Sequence, residues 1–338
     1  MNAPLRIAVL SRWHVHADEY AKAVNDHPGA SVAAVWDENA ERGASWAAEL
    51  GVEFIADYAA LLARRDIDGV VVTSPTNRHR ELIVGAARAG KHVFTEKVLA
   101  TRLDDAYAIA AAVRDSTIRF TISFPRRTIA PLVHAKALLE AGAFGDVTLL
   151  RIRIAHDGAL RNWLPAHFFD PVACGGGAMI DLGAHGMYLS RWLLGAPRRC
   201  TSIFNSVTGR AVEDNAVSLI EFDNNAVAIN ETSFVSWGGA YSIEIDGSRG
   251  GFQMSSLRNV RTRSGEDLST SAGKAWAPAE LPPDEPMPIP RWIASIDGSG
   301  PAEFGMGIEQ AVELSEMMHA AYRSHAERRT VDFADLRN

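Results

Sequence analysis

Apolar residues follow two different rhythms along this chain. Over the first 125 residues, short β-branched runs at 6–10, 31–36, 69–73, 92–95 and 118–124 alternate with Ala-rich stretches at 17–25, 39–50, 58–64, 78–89 and 103–114. The long stretches repeat at helical intervals, and apolar runs separated by such helices are the pattern of βαβ units around a parallel sheet. Gly51 and Gly90 sit where these helices stop. Beyond about residue 125 the rhythm changes: after one more helix at 131–141, the segments 147–155, 216–222, 226–234 and 241–246 alternate with period two. That alternation predicts antiparallel sheet.

Residues 264–290, rich in Gly, Ser and Pro, predict an irregular surface loop, and 307–327 a last helix. No repeat is visible at solenoid periods. The fold class is therefore α/β, with a doubly wound parallel sheet in residues 1–125. An α+β domain built on a large, mostly antiparallel sheet follows in 126–338, its last helix able to pack back on the first domain.

Composition narrows the class. The 338 residues favour two domains, and 47% hydrophobic with 22% charged residues is ordinary for a folded globular chain. The 34 Lys and Arg against 41 Asp and Glu leave a net charge of -7, which argues against nucleic acid as a partner. No apolar run approaches the roughly 20 residues of a membrane span. The start of the chain runs into a strand without the pattern of a secretory signal, so a cytoplasmic location is expected. Cys174 and Cys200, without CxxC spacing, read as two reduced thiols.

A strand, a tight turn, a helix and a second strand ending in an acid is the layout of a dinucleotide-binding Rossmann half, and Asp37 is that acid. At the tip of the second strand a carboxylate accepts both ribose hydroxyls of an adenosine and repels a 2′-phosphate, so Asp37 argues for NAD over NADP. The alternative is that Asp37 only caps the helix that follows. The turn itself reads Leu10-Ser11-Arg12-Trp13-His14-Val15-His16-Ala17, with no glycine where G-x-G-x-x-G is expected. Those glycines let backbone amides approach a diphosphate. Without them Ser11 and Arg12, with Trp13 and His14 beside them, are the candidates to hold it, Arg being the preferred forked donor for phosphate. His14 and His16 are spaced like a metal pair, but no third ligand is evident and no metal is expected.

Three segments then carry a family resemblance. They are Thr73-Ser74-Pro75-Thr76-Asn77-Arg78-His79, Ala89-Gly90-Lys91-His92-Val93-Phe94-Thr95-Glu96-Lys97, and Gly175-Gly176-Gly177-Ala178-Met179-Ile180-Asp181-Leu182-Gly183-Ala184-His185. In order and spacing the chain resembles the Gfo/Idh/MocA oxidoreductases, typified by glucose-fructose oxidoreductase and inositol dehydrogenase. The resemblance implies an NAD(P)-dependent dehydrogenase or reductase moving hydride to or from a secondary alcohol of a sugar, inositol or related polyol. It implies catalytic roles for Lys97, Asp181 and His185, and cofactor contacts from Ser74, Pro75, Thr76, Asn77, Glu96, Lys97 and, more weakly, His79. It also implies a homodimer or homotetramer formed through the second-domain sheet. Two departures stand out: the glycine fingerprint is absent, and Val98 replaces the proline that follows Glu-Lys.

The chemistry is consistent with those roles. Oxidising an alcohol needs a base for the hydroxyl proton and a donor for the growing alkoxide. Imidazole titrates near neutrality, so His185 could take the proton; Asp181 lies four residues before it on one helical face, and Lys97 ends a strand at the ligand-binding edge of the sheet. Such a triad is expected in a cleft between the domains. Lys97, Asp181 and His185 would also touch substrate, with Arg126, Arg127, Trp163 and His167 as candidates for the rest of its wall. Two rival functions are a redox-neutral sugar-modifying enzyme of epimerase, lyase or glycosidase type with tightly held NAD, and a non-catalytic sensor of the same fold.

Overall fold

The structure, a computed structural model, describes residues 3–257, 259–264 and 275–336. Its contacts divide the chain into two units, Met1–Phe124 with Pro286–Ser315, and Pro125–Glu285 with Glu316–Asn338. Among the described residues no helix is long and apolar enough to cross a membrane.

In the first unit six strands, β1 (Leu5–Leu10), β2 (Ala30–Trp36), β3 (Glu53–Phe54), β4 (Gly69–Val72), β5 (His92–Thr95) and β6 (Phe120–Ile122), form one sheet. Its order is β3-β2-β1-β4-β5-β6 with every pairing parallel. The connections carry α1 (Ala17–Asp26), α2 (Ala40–Leu50), α3 (Tyr58–Ala63), α4 (His79–Arg88) and α5 (Leu103–Arg114). The local reasons are visible. All four residues of β4 are buried, as a central strand covered on both faces requires. Helix α2 starts where the Asn39 side chain accepts from the Arg42 amide and stops at Gly51 in the left-handed conformation. The strand order reverses between β1 and β4, and sheets of this type bind ligands outside the carboxyl ends of the strands at that point.

The second unit holds α6 (Ala130–Glu140), β7 (Val147–Ala155), α7 (Pro171–Cys174) and a π turn at Met179–Gly183 leading into α8 (Ala184–Leu194). Then follow β8 (Pro197–Asn205), β9 (Asn215–Phe222), β10 (Val227–Ser233), β11 (Ala240–Gly247), β12 (Gly250–Ser256) and β13 (Asn259–Ser264), with two short strands, β14 (Ala277–Pro278) and β15 (Val331–Asp332). The sheet order is β14-β13-β12-β11-β7-β10-β9-β8-β15, antiparallel except for the β7–β10 pair. Along β7 the residues Leu150, Ile152 and Ile154 are buried, while Arg151 and Arg153 face outward and pair with Glu231 of β10. Helix α8 lies close on the sheet because Gly186 has no side chain: a Cβ there would stand 2.1 Å from Oδ1 of Asn230. The Asn230 amide donates to the Gly183 carbonyl at 2.8 Å and anchors the same approach.

Residues 286–315 depart from the expectation. The periodicity predicts one domain boundary, after residue 125, and an irregular loop to residue 290. Residues 265–274 of that loop lie outside the described residues, but at Pro288 a helix begins, α9 (Pro288–Asp297), and it belongs to the first unit. Its Ile289, Trp292 and Ile293 are buried with Ile7, Val9, Val24, Val35 and Phe94. The proline that made the segment read as loop sits at the first helical position, where its missing N–H costs nothing. The last helix, α10 (Ile308–Glu327), has its residues up to Ser315 in the first unit and the remainder in the second.

Candidate functional site

The turn after β1 keeps the backbone of a glycine without the residue. Ser11 has φ 77°, in the left-handed region, which costs a non-glycine residue about 1–2 kcal/mol. Its side chain offsets that cost. The Ser11 hydroxyl donates to Glu38 Oε1 at 3.0 Å and accepts from the Trp13 amide and from the Arg42 guanidinium, each at 3.2 Å. A net gain of about 1 kcal/mol per hydrogen bond is enough to hold the turn. Arg12, expected as a phosphate donor, is held by Asp18 at 2.9 Å and Glu49 at 2.8 Å. Ion pairs this exposed are worth about 0–1 kcal/mol, so an arriving diphosphate can compete for the guanidinium.

Asp37 stands at the tip of β2 as expected, but its carboxylate is wholly buried and already serves the chain. Oδ1 accepts from the Asn39 amide at 2.8 Å and from Arg42 at 2.6 Å; Oδ2 accepts from the Arg12 amide and from Arg42 Nε, both at 2.9 Å. Four donors leave no lone pair for two ribose hydroxyls, which corrects the role read from the sequence. The unsatisfied acceptor at this strand tip is Glu38 Oε2, which is buried and has no hydrogen-bond partner. Glu38 Oε1 is already bound by Ser11 and by Arg42.

Next to this turn lies a charged cluster. His16 Nδ1 donates to Glu96 Oε1 at 2.7 Å, the Tyr20 hydroxyl donates to the same oxygen, and the Tyr20 hydroxyl also meets Ser123 Oγ at 2.8 Å. Glu96 Oε2 accepts the Lys97 amide at 2.8 Å. Burial alone would raise the Glu96 pKa, but the charges of His14, His16 and Lys97 and the His16 hydrogen bond pull it well below the usual carboxylate range. Burial alone would lower His16, and Glu96 raises it instead. His14, His16 and Glu96 bring one donor atom each within 4.8 Å. The third group that the sequence did not reveal is thus present. As arranged, the carboxylate is already bound by the His16 ring, and His14 Nδ1 accepts the His16 amide at 3.2 Å. The Lys97–Val98 peptide bond is cis, and Lys97 is buried to within 6%.

Ser74 and Pro75 are buried at the end of β4, Thr76 is half-buried and Asn77 exposed. His79 is buried with Nδ1 3.2 Å from the Leu99 carbonyl and Nε2 3.3 Å from that of Ser74, and burial lowers its pKa. Its ring therefore ties β4 to the segment after Lys97 and is spent on the backbone.

In the second unit Asp181 lies on the π turn and is half-buried, and His185 opens α8 with 6% exposure. His185 Nδ1 is 3.0 Å from the Tyr188 hydroxyl, which in turn accepts the Arg126 amide at 3.3 Å. The Tyr188 phenol is lifted well above its usual range by burial, so it is neutral and fixes the imidazole by hydrogen bonding alone. His156, just past β7, feels the charge of Asp181; burial lowers its pKa and Asp181 opposes that. Trp163 is half exposed, its indole N–H donating to Asp157 at 2.9 Å, and its ring lies 4.7 Å from that of His156. His167 is half-buried. The glycines before Asp181 serve the scaffold: Glu213 Oε1 accepts from the Gly177 and Met179 amides and from the Tyr322 hydroxyl, and a Cβ on Gly177 would stand 2.0 Å from the Glu213 carbonyl oxygen.

Residues 14–124 match the family described as oxidoreductases with an NAD-binding Rossmann fold, and residues 132–253 match the GFO/IDH/MocA C-terminal domain. The scyllo-inositol 2-dehydrogenase (NAD(+)) of Bacillus subtilis (strain 168) is 30% identical over 271 residues, 77% of this chain and 76% of that protein. The chain belongs to the GFO/IDH/MocA oxidoreductase family. Another relative is the inositol 2-dehydrogenase of Rhizobium meliloti (strain 1021), 26% identical over 331 residues, covering 93% of this chain and 95% of that protein. Among solved structures, levoglucosan dehydrogenase in complex with NADH and levoglucosan superposes with a TM-score of 0.84 at 22% identity over 97% of this chain and 99% of that one. At that identity the likeness establishes the fold.

Within this GFO/IDH/MocA chain, four polar residues beside the candidate residues escaped notice in the sequence, Tyr20 and Glu38 in the first unit and Tyr188 and His156 in the second. Tyr20 is four residues after His16 and Tyr188 three after His185, on the same helix faces, so helical spacing was the available signal. His156 continues the buried face of β7 two residues past Ile154. Glu38 was hidden beside the more obvious Asp37.

Proposed function

We propose that this oxidoreductase acts on a secondary alcohol of a sugar, inositol or related polyol, with NAD preferred to NADP. Lys97, Asp181 and His185 handle the substrate proton and the oxygen from which it leaves. The observation that carries the reading is His185, a buried imidazole held through Nδ1 by a neutral phenol at the start of a helix that Gly186 and Asn230 fix to the sheet. An imidazole so oriented, with a carboxylate four residues earlier, suits taking a proton from an alcohol; an ammonium such as that of Lys97 suits donating to the alkoxide oxygen.

The residues at the β1 and β2 tips fit a dinucleotide. Ser11 holds the glycine-like turn, Arg12 is the phosphate donor that exposed pairs leave available, and Glu38 Oε2 is a buried acceptor for a ribose hydroxyl. Asp37 and Glu38 together outweigh the one charge of Arg42, so a 2′-phosphate meets net negative charge. The bound nicotinamide supplies the two-electron chemistry. The relatives named above as inositol dehydrogenases support the substrate class. We also propose that a second copy covers the outer face of the large sheet, where Ile203, Val217 and Leu219 are exposed.

Reduced cofactor measured by absorbance, on adding polyols to purified protein with NAD or NADP, tests the reading. Lys97→Met and His185→Gln are each expected to lower kcat by about 100- to 10,000-fold, with the double variant little worse than either single one. Unchanged turnover in either single variant refutes the assignment.

A further inference from the structure

We propose that the substrate of the site in the second unit carries a carboxylate, and that Arg126 binds it. This rests on the proposed oxidoreductase reading and names the kind of polyol it takes, a sugar acid or a carboxylated cyclitol. Arg126 sits in the short turn Pro125–Arg127, and its amide donates to the same Tyr188 hydroxyl that holds His185. Its backbone is therefore one shared hydroxyl from the imidazole.

The side chain is placed but not neutralised. The guanidinium lies 4.4 Å from the centre of the Tyr241 ring, and its Nε is buried without a hydrogen-bond partner. Among the described residues no carboxylate pairs with it, although the other half-buried arginine of comparable importance, Arg42, is bound by two. The groups packed beside it are phenols, and burial raises both Tyr188 and Tyr241 above the usual phenol range, so neither supplies a negative charge. Arg127 adds a second positive charge acting on Tyr188.

Desolvating a guanidinium costs several kcal/mol unless an anion answers it. A planar fork with Nε unoccupied, resting on an aromatic face, is shaped for a planar two-oxygen anion. Tyr241 lies opposite Ile154 in the β11–β7 pairing, on the same covered face of the sheet that continues to His156. Arg126, His156 and His185 are thus all presented from the side of the sheet that α8 covers, and a ligand there meets cation and base together.

Calorimetric titration of the full-length protein, saturated with NAD, with D-glucuronate and with D-glucose as its uncharged match tests this directly. Glucuronate is expected to bind at least about tenfold more tightly, the difference made by one charge-assisted hydrogen-bonded pair. Arg126→Met is expected to abolish that difference and Arg126→Lys to retain part of it, each with an unchanged melting temperature and unchanged NAD affinity. Equal affinity for the two sugars, an unaltered preference in Arg126→Met, or tighter binding of glucose 6-phosphate than of glucuronate each overturns the proposal. Glucuronate binding that meets these criteria without any NADH forming supports the subsite and counts against the reaction, so the two failures are distinguishable.

Discussion

His16 on the turn after β1 and Glu96 at the end of β5 meet at 2.7 Å, so the segment that lost its glycines is tied directly to the residue preceding Lys97. Two strands that are not neighbours in the sheet are joined through side chains at the edge where such sheets bind ligands.

This pair predicts a pH window. Glu96 has a depressed pKa in the folded protein, so its contribution is complete above the unfolded carboxylate value of about 4.3 and is lost as pH falls through the folded value. His16 has a raised pKa, so its contribution is complete below about 6.5 and is lost as pH rises through the folded value. The melting temperature of His16→Asn should fall furthest below wild type between about pH 4.5 and 6.5 and converge on it in alkali. A difference independent of pH would remove the charge pair from the account.

Glu38 rather than Asp37 is expected to set cofactor choice. Glu38→Gln keeps the hydrogen bond from Ser11 but removes the negative charge beside the unsatisfied oxygen. Discrimination between NAD and NADP, read from the two dissociation constants, should fall by about tenfold, or 1.4 kcal/mol.

Gly177 should be intolerant of any side chain. The Cβ of an alanine would stand 2.0 Å from a backbone oxygen and 2.8 Å from Cγ2 of Val212, and a backbone atom cannot rotate away. Gly177→Ala is expected to destabilise the second unit by about 3 kcal/mol in urea titration, as overpacking of a tight core does.

Trp292 tests where α9 belongs. Its indole is completely buried against Phe94, with ring centres 5.9 Å apart. Trp292→Ala should cost about 3–5 kcal/mol and speed amide exchange in β1 and β5 while leaving β9 and β10 protected.

The outer sheet face gives a last expectation. Ile203 is 74% exposed and Leu219 46%, an unusual display on neighbouring strands. Leu219→Glu should shift sedimentation toward the monomer, and a wild-type protein that sediments as a monomer would remove the proposed pairing.

Much of the fold was legible before any coordinates. The segment 92–95 matches β5, 103–114 matches α5 and 147–155 matches β7, each strongly periodic and closed by turn residues. Elements without such a pattern were not: β3 has two residues, and β8, β12 and β13 mix Arg, Ser and Gly with apolar positions. Helix α9 was hidden by prolines that stand where a helix tolerates them.

Residue types and their spacing were enough to place an acid at the β2 tip, a lysine after β5 and a carboxylate and imidazole at the entrance to α8, because those positions follow from periodicity along one segment. Partnership was not written there. That Asp37 accepts from the Arg12 amide across from β1 and that Glu96 is answered by His16 and Tyr20 depend on which distant segments pack together. A side chain's protonation and its remaining lone pairs are set by neighbours brought in by packing, often more than 60 residues away along the chain, as Tyr20 is from Glu96.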